Sequence, residues 1–178
     1  MVLDDARTIR ATAAVAREMA RRWPEAASRP EPTGPMRLIL NDRVSIFDPS
    51  LWDGVHVGQD DLAPREARDL IGPDAILGVS THNDAQVIAA DQEPVDYIAI
   101  GPVFSTSTKS DTSPTIGLAG VRSARALTRK LLVAIGGITL ANAAQVCEAG
   151  ADSVAVIAAI FATPDPVKSA RDFLAIFK

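Results

Sequence analysis

The sequence predicts an α/β fold in which helices cover a sheet of parallel strands. From Met36 onward, short and nearly continuous apolar runs alternate with segments of helical periodicity. Strands with few polar residues are typical of parallel sheets, because helices bury both faces of the sheet. The predicted strands are residues 37–40, 54–57, 75–79, 96–100, 131–135 and 153–157. The predicted helices are residues 63–71, 83–91, 117–129, 139–149 and 164–177.

Polar residues gather where the predicted strands end. At the carboxyl ends of the first five strands, in turn, lie Asn41-Asp42, His56 to Asp61, Ser80 to His82, Ser105 to Lys109 and Gly136-Gly137. In a (β/α)8 barrel the active site lies at that end of every strand, whereas a doubly wound sheet concentrates its site at one switch point. Five consecutive strand ends with polar residues therefore favour a barrel-type α/β fold.

The segment before Met36 has a different pattern. Apolar residues at positions 6, 9, 13, 16 and 20 predict an amphipathic helix, with arginines at 7, 10, 17 and 21 on its other faces. Residues 28–35, SRPEPTGP, are dense in proline and predict a loop or linker. The predicted organisation is thus a helix and linker over residues 1–35 and a single domain over residues 36–178.

Composition limits the classes of function. A net charge of -4 and a pI near 5.1 argue against a general binder of nucleic acids or anionic membranes. The single cysteine, Cys147, excludes an internal disulfide and fits a reducing compartment. No apolar run approaches the roughly 18 residues of a membrane span, and Asp4 and Asp5 stand where a signal peptide carries basic residues. We therefore expect a soluble, cytoplasmic protein.

The run YIAIGPVFSTSTK, residues 97–109, joins a predicted strand to a loop of hydroxyl groups and one lysine. Hydroxyls, backbone N–H groups and an ammonium group are suitable donors to a phosphate or pyrophosphate. Lys109 is notable because the chain has only four lysines. Loops rich in Ser and Thr are also common as solvated turns, so that alternative stays open.

Two other clusters suggest ligands. Asp42 and the pair Asp60-Asp61 follow neighbouring strands and could share a magnesium ion, although aspartate also caps helices and closes turns. The sequence does not distinguish Asp60 from Asp61. Gly136-Gly137 before a helix could admit a phosphate to backbone N–H groups, or simply form a tight turn.

The two histidines have different expected roles. His56 lies inside a strand and is expected to pack in the core. His82 follows a strand and could contact substrate or act as an acid or base.

Six motifs together resemble the thiamine phosphate synthase family, a group of (β/α)8 enzymes. They are IxND, DGVHVGQDDL, LGVSTH, DYIAIGPVFSTSTK, VAIGGI and GADSVAVIAAI, within residues 37–178. The family joins hydroxymethylpyrimidine pyrophosphate to a thiazole phosphate and releases pyrophosphate. The resemblance implies that Asp42 and Asp61 bind Mg2+, and that Lys109 and Ser80 are catalytic. Asn41, Ser80 and Lys109 would contact the pyrimidine substrate and its pyrophosphate. The thiazole phosphate would be surrounded by Thr106, Ser107, Thr108, Gly137, Ile157 and Ala158.

The chain departs from the family pattern in two respects. Family members carry a first strand, a helix and a second strand ending in a basic QLREK-like motif before IxND, whereas the residues before Met36 contain no QxRxK. We therefore expect a partial barrel of about six strands, whose open edges would favour self-association into a homo-oligomer. Ala158 also stands where the family usually has serine.

Two alternatives to the synthase stay open, and the missing basic motif supports only the first of them. One is a catalytically impaired protein that binds thiazole phosphate or thiamine phosphate. The other is a thiazole tautomerase-like protein, which would lack the metal-binding aspartates and the lysine loop. Under each interpretation the partners are small molecules.

Overall fold

The computed structural model of the protein describes residues 37–106 and 114–177. The predicted helix at 4–22 and the proline-rich segment at 28–35 lie outside these ranges. The chain divides into two compact units, Met1–Leu77 and Gly78–Lys178. The single domain expected over residues 36–178 stays a prediction.

The described part of the first unit contains two parallel strands and one α-helix. Strand β1 (Ile39–Asn41) pairs with β2 (Gly54–Val57), with Leu40 opposite Val55. A short 3-10 turn, Val44–Ile46, lies between them, and helix α1 (Pro64–Ile71) follows. Proline opens α1 because its fixed φ suits the first helical position. Apolar side chains form the core of this unit: Leu40, Val44, Trp52, Val55, Val57, Ala67, Ile71 and Leu77.

Asp53 ties the start of β1 to the start of β2. Its Oδ2 accepts a hydrogen bond from Leu38 N at 2.8 Å, and its Oδ1 accepts one from Arg37 Nη1 at 2.7 Å. Burial acts to raise the pKa of this carboxyl, but the hydrogen bonds from Leu38 and Arg37 outweigh it and hold the pKa below its usual value. The carboxylate form therefore braces the two strands at neutral pH.

The second unit continues the alternation of strands and helices. Its strands are β3 (Ile76–Thr81, which begins two residues before the division), β4 (Tyr97–Ile100), β5 (Leu131–Ile135) and β6 (Ser153–Ala155). Its helices are α2 (Asp84–Asp91), α3 (Gly117–Leu127), α4 (Leu140–Glu148), α5 (Ala158–Phe161) and α6 (Pro166–Leu174). Strands β3 to β6 pair in chain order, each parallel to the next.

The core of the second unit forms where the strands meet the helices. Ile98 of β4 lies opposite Leu132 of β5 in the ladder, and both are fully buried. Helices α3 and α4 contribute Val121 and Val146, which are also fully buried. Because β4 is apolar along its length, it can be covered on both faces, as the sequence pattern predicted.

Asp152 joins β5 to the loop before β6. Its N–H donates to Leu132 O at 2.9 Å, and its Oδ2 accepts from Leu132 N and from Arg125 Nη1, each at 2.8 Å. Arg125 also donates through Nη2 to Lys130 O at 3.0 Å and to Thr128 O. The Arg125 guanidinium therefore links the end of α3 to the start of β5.

The predicted alternation of parallel strands and helices is confirmed, with differences at several boundaries. Strands β2 and β5 have the predicted bounds, and β1 is shifted to include Asn41. The strand predicted at 153–157 was wrong in its second half, because β6 ends at Ala155 and a four-residue helix, α5, begins at Ala158. A continuous apolar run does not distinguish a strand from a short helix by periodicity. Within the described ranges, no helix is long and apolar enough to cross a membrane.

Gly78 provides room for the only tyrosine of the chain, Tyr97. The two residues lie opposite each other in the β3–β4 ladder. A Cβ at Gly78 would lie 2.0 Å from Tyr97 Cζ, so the phenol ring lies against the glycine. Burial of the ring raises the pKa of Tyr97 from 10.0 to about 12.

This burial predicts an alkaline loss of stability. Below pH 10 the Tyr97 phenol is neutral in both the folded and the unfolded protein. Between pH 10 and about 12 it ionises in the unfolded protein but stays neutral in the folded one. The free energy of unfolding therefore falls as the pH rises through this range. Because the ring is partly exposed, we expect a loss of about 1–2 kcal/mol relative to Tyr97→Phe. Phenolate absorbance measures the pKa directly, and urea unfolding of both proteins measures the stability. A phenolate titration midpoint near pH 10, together with the same alkaline loss of stability in the wild type and in Tyr97→Phe, would contradict the prediction.

Candidate functional site

The first unit presents carboxylates after both of its strands. Asn41 is the last residue of β1, and Asp42 follows with a φ of 64°, a left-handed conformation that aspartate tolerates better than most residues. Asp42 N donates to His56 O at 2.8 Å, which fixes this turn to β2. Both Asn41 and Asp42 are exposed, as residues that bind a ligand must be.

Asp61 closes the turn after β2. Its Oδ2 accepts a hydrogen bond from Gly58 N at 2.7 Å. Asp61 does not cap α1, because the N-cap residue of that helix is Ala63. The helix-cap alternative for Asp61 is therefore wrong, whereas the turn alternative is correct. Asp60 and Asp61 are both exposed, and within the described residues Asp61 Oδ1 has no hydrogen-bond partner. Asp61 therefore keeps one oxygen for a ligand while the other holds the turn.

The carboxylates of Asp42 and Asp61 have the chemistry of Mg2+ ligands. Across residues 37–106 and 114–177, no group of three or more His, Cys, Asp or Glu side chains could hold a metal ion by itself. Mg2+ does not need such a group, because it commonly takes one or two carboxylates and completes its octahedron with water and substrate phosphate. The hard oxygen donors of Asp42 and Asp61 fit that requirement.

In the second unit, the end of β3 is tied to the segment after β4. Thr81 Oγ1 donates to Ala99 O at 2.8 Å, and His82 Nδ1 lies 2.6 Å from Gly101 O. A carbonyl only accepts, so Nδ1 carries the proton and Nε2 of a neutral His82 is an acceptor. The expectation that His82 contacts substrate stays a prediction. Ser80 lies within β3, opposite Ala99, and is half-buried.

The loop after β4 is held against the turn after β5 by backbone hydrogen bonds. Val103 N donates to Ile135 O at 2.9 Å, and Phe104 N donates to Gly136 O at 3.0 Å. The Gly101-Pro102 bond is cis, and Val103 is fully buried. The contact between β4 and β5 thus extends past the ends of both strands, which gives the exposed residue Thr106 a rigid base.

Gly137 is required for the close approach of these two segments. Its φ is 62°, and a Cβ there would lie 2.5 Å from Ser105 O and 2.7 Å from Phe104 Cβ. Gly101 has a similar role, because a Cβ there would lie 2.2 Å from Ile135 O. The tight-turn interpretation of Gly136-Gly137 is therefore correct, and the turn lies in contact with the hydroxyl-bearing loop.

The turn also presents two backbone N–H groups that have no partner among the described residues. Within the described part of the chain, the N–H groups of Gly137 and Ile138 make no hydrogen bond. Ile138 is only 5% exposed, and a buried backbone N–H without a partner is rare in native proteins. An anion with several oxygens, such as a phosphate, would satisfy both donors.

The structure brings some of the predicted phosphate-binding residues together and leaves others undescribed. Thr106 belongs to the loop that contacts Gly137, whereas Ser107, Thr108 and Lys109 lie outside the described residues. Ile135 of β5 lies opposite Ala155 of β6, so Gly137 and Ile157 each follow that pair by two residues. Ile157 precedes α5, and Ala158 is its first residue.

Sequence reasoning missed Asn142. Its Oδ1 accepts from Thr139 N at 2.8 Å, and its Nδ2 donates to Gly137 O at 3.2 Å. A polar residue three positions after the N-cap Thr139 is the spacing of a capping box, which was the available signal. That spacing does not reveal the second bond, to the glycine turn.

Polar residues at the carboxyl ends of parallel strands, with a glycine turn between strand and helix, define an α/β protein of the (β/α)8 type. A sequence model of the thiamine monophosphate synthase family matches residues 6–160. The chain belongs to this family, as its motifs predicted. The match begins upstream of the motifs that carry the resemblance.

Individual relatives agree with this assignment. The thiamine-phosphate synthase of Koribacter versatilis is 49% identical over 90% of this chain and 71% of that protein. The thiamine-phosphate synthase of Chloroflexus aurantiacus is 47% identical over 78% of this chain and 64% of that protein. The thiamine-phosphate synthase of Xanthobacter autotrophicus is 51% identical over 75% of this chain and 64% of that protein. The chain therefore spans about two thirds of the length of these curated relatives. The interpretation as a thiamine phosphate synthase, a transferase of thiamine biosynthesis, is confirmed at the level of the family.

Solved structures confirm the predicted fold class. Thiamine phosphate pyrophosphorylase from Pyrococcus furiosus has a TM-score of 0.77 and 27% identity, over 94% of this chain and 76% of that chain. A 3-hexulose-6-phosphate synthase from Salmonella typhimurium has a TM-score of 0.62 over 90% of this chain and 77% of that chain. It is 15% identical, so this second likeness concerns the fold alone.

Gly137→Ala should be more destabilising than Gly117→Ala. Both glycines have a left-handed φ, 62° and 60°, but a Cβ at Gly117 meets nothing within 4 Å. The matched pair therefore separates backbone strain from steric contact. We expect both variants to lose about 1–2 kcal/mol from strain and Gly137→Ala to lose about 1–3 kcal/mol more from the contact with Ser105. Urea unfolding measures both values. Equal losses of stability in the two variants would show that the close contact between Ser105 and the turn of Gly137 is absent.

Proposed function

We propose that this chain forms thiamine phosphate by joining hydroxymethylpyrimidine pyrophosphate to a thiazole phosphate, with release of pyrophosphate. Family membership supports the reaction class. The observation that carries the proposal is the contact between the loop of Thr106 and the turn of Gly137, whose free N–H groups suit a phosphate. We further propose that the reaction takes place in the cytoplasm, with small molecules as the substrates.

The thiazole phosphate would bind in the second unit. The hydroxyl of Thr106 and the N–H groups of Gly137 and Ile138 would donate to its oxygens, together with Ser107 and Thr108. Ile157 and Ala158, at the neighbouring strand end, would close the site. Fixing the phosphate orients the ring, so that its nitrogen attacks without the entropy cost of a free encounter.

The pyrimidine substrate would be bound by Asn41, Ser80 and Lys109. When the bond between its methylene carbon and the pyrophosphate oxygen breaks, the electron pair leaves with the pyrophosphate. The thiazole nitrogen then forms the new carbon–nitrogen bond. Donation by the Ser80 hydroxyl and the Lys109 ammonium would stabilise the negative charge as it develops on the leaving group, which is their catalytic role. No protein nucleophile is required.

Asp42 and Asp61 would hold Mg2+ by their carboxylate oxygens. When bound, the ion would neutralise charge on the pyrophosphate, as Mg2+ does in other phosphate chemistry. The exposed position of both carboxylates supports this, as does the free Oδ1 of Asp61. The two aspartates and Lys109 also argue against a tautomerase-like protein.

Lys109→Ala should reduce turnover about 100-fold or more while leaving the fold intact, because it removes a charge that stabilises the leaving group. The matched control is Lys168→Ala, which removes an exposed lysine whose Nζ lies 2.6 Å from Asp172 and should not affect turnover. The measurement is thiamine phosphate formed by the purified chain with both substrates and Mg2+. Equal rates in the two variants would contradict the role of Lys109. Binding of thiazole phosphate without product would instead favour the catalytically impaired binding protein.

Asp61→Asn and Asp60→Asn separate the two candidate ligands. Asn keeps an oxygen for Gly58 N but loses the negative charge that Mg2+ prefers, so Asp61→Asn should raise the Mg2+ concentration needed for half-maximal activity at least about tenfold. Asp60→Asn should leave it near the wild-type value. The measurement is activity against Mg2+ concentration for all three proteins. The reverse result would assign the ligand to Asp60.

A further inference from the structure

We propose that Asn142 is a positioning residue that aims the N–H groups of the Gly137 turn at the phosphate, an inference that rests on the proposed function. Asn142 lies in the first turn of α4 and is half-buried. Its one side-chain amide holds the backbone at two points, accepting from Thr139 N at 2.8 Å and donating to Gly137 O at 3.2 Å. The Ile138 N–H lies between these two points and the Gly137 N–H lies just before them, and neither has a partner among the described residues.

The bond to Gly137 O fixes the direction of the Ile138 N–H. A carbonyl and the following N–H belong to one planar peptide, and in a trans peptide they point in opposite directions. The Gly137–Ile138 peptide is trans, so fixing Gly137 O on Asn142 Nδ2 turns the Ile138 N–H away from Asn142. That N–H has no partner within the described residues, so it stays available to an anion.

The bond from Thr139 N has a second consequence for the turn. The first N–H groups of a helix have no intrahelical partners, and any of them can bind an anion. Asn142 Oδ1 occupies the Thr139 N–H at 2.8 Å, whereas the two N–H groups before it have no partner among the described residues. The amide therefore removes the Thr139 N–H from the donors that could face a ligand.

Helix capping alone does not explain an asparagine at this position. An acidic side chain could accept from Thr139 N equally well and would favour the positive end of the helix dipole. It could not donate to Gly137 O, because a carboxylate has no donor. The donor of Asn142 is thus the feature specific to the glycine turn.

Two variants and a control test the inference. Asn142→Asp keeps the bond from Thr139 N and loses the donor to Gly137 O; Asn142→Ala loses both. Asp165→Ala is the matched control, because Asp165 caps α6 by accepting from Lys168 N at 2.9 Å and, among the described residues, forms no hydrogen bond with the glycine turn. Titration calorimetry would measure binding of thiazole phosphate and of the corresponding thiazole alcohol. Urea unfolding would confirm that each protein is folded at the titration temperature.

We expect both Asn142 variants to bind thiazole phosphate about tenfold more weakly or worse, because the donors to a charged oxygen lose their alignment. Binding of the alcohol should change less than about threefold in every protein, since it lacks the charged group that those donors serve. Asp165→Ala should bind both ligands like the wild type. A loss shared equally by phosphate and alcohol would mean a general structural role and would overturn the inference.

Two further outcomes separate the inference from the proposed function. If the wild-type chain binds thiazole phosphate and both Asn142 variants bind it equally tightly, the positioning role is wrong and the proposed function stands. If the wild-type chain binds no thiazole phosphate, the proposed phosphate site is wrong, and the role of Asn142 is wrong with it.

Discussion

The backbone contact between the segments that follow β4 and β5 sets the geometry on which the proposed site depends. Val103 and Phe104 donate to Ile135 O and Gly136 O, which continues the strand ladder beyond the strands themselves. This approach is possible because positions 101 and 137 have no Cβ. Thr106, which carries a hydroxyl group, directly follows the Phe104-Ser105 segment that contacts the turn of Gly137. The two glycines at positions 101 and 137 thus allow the loop after β4 to pack against the turn after β5.

The acidic composition of the chain makes backbone donors important for anion binding. With 22 acidic residues against 18 basic ones, no general positive field attracts a phosphate. Two basic residues of the second unit are engaged in structural bonds: Arg125 with Asp152 and the backbone, and Lys130 Nζ with Glu93 O and Val95 O. Free N–H groups at a glycine turn supply positive partial charge without adding a cation. Under the proposed function, the carboxylates of the first unit have the opposite task, which would be to bind a cation that neutralises a pyrophosphate.

Much of the fold could be predicted because it depends on local pattern. The apolar runs of β2 and β5 gave their correct bounds, and the polar residues after each strand indicated the end of the sheet where the site is proposed. Gly137 could be predicted because a glycine pair between strand and helix has few roles. The bonds of Asn142 to Gly137 and of His82 to Gly101 could not, because they join residues whose proximity only the folded chain creates. Helix α5 was missed because an apolar run carries no periodicity that separates it from β6.

The most direct test of the central claim, that the turn after β5 binds phosphate through its free N–H groups, is nuclear magnetic resonance of the amide-labelled chain. The chain would be titrated with thiazole phosphate and, separately, with the thiazole alcohol. The account predicts that the amide resonances of Gly137 and Ile138 move downfield with the phosphate and stay in place with the alcohol, because only the phosphate accepts their hydrogen bonds. Saturable binding of the phosphate that leaves both resonances unchanged would contradict the account.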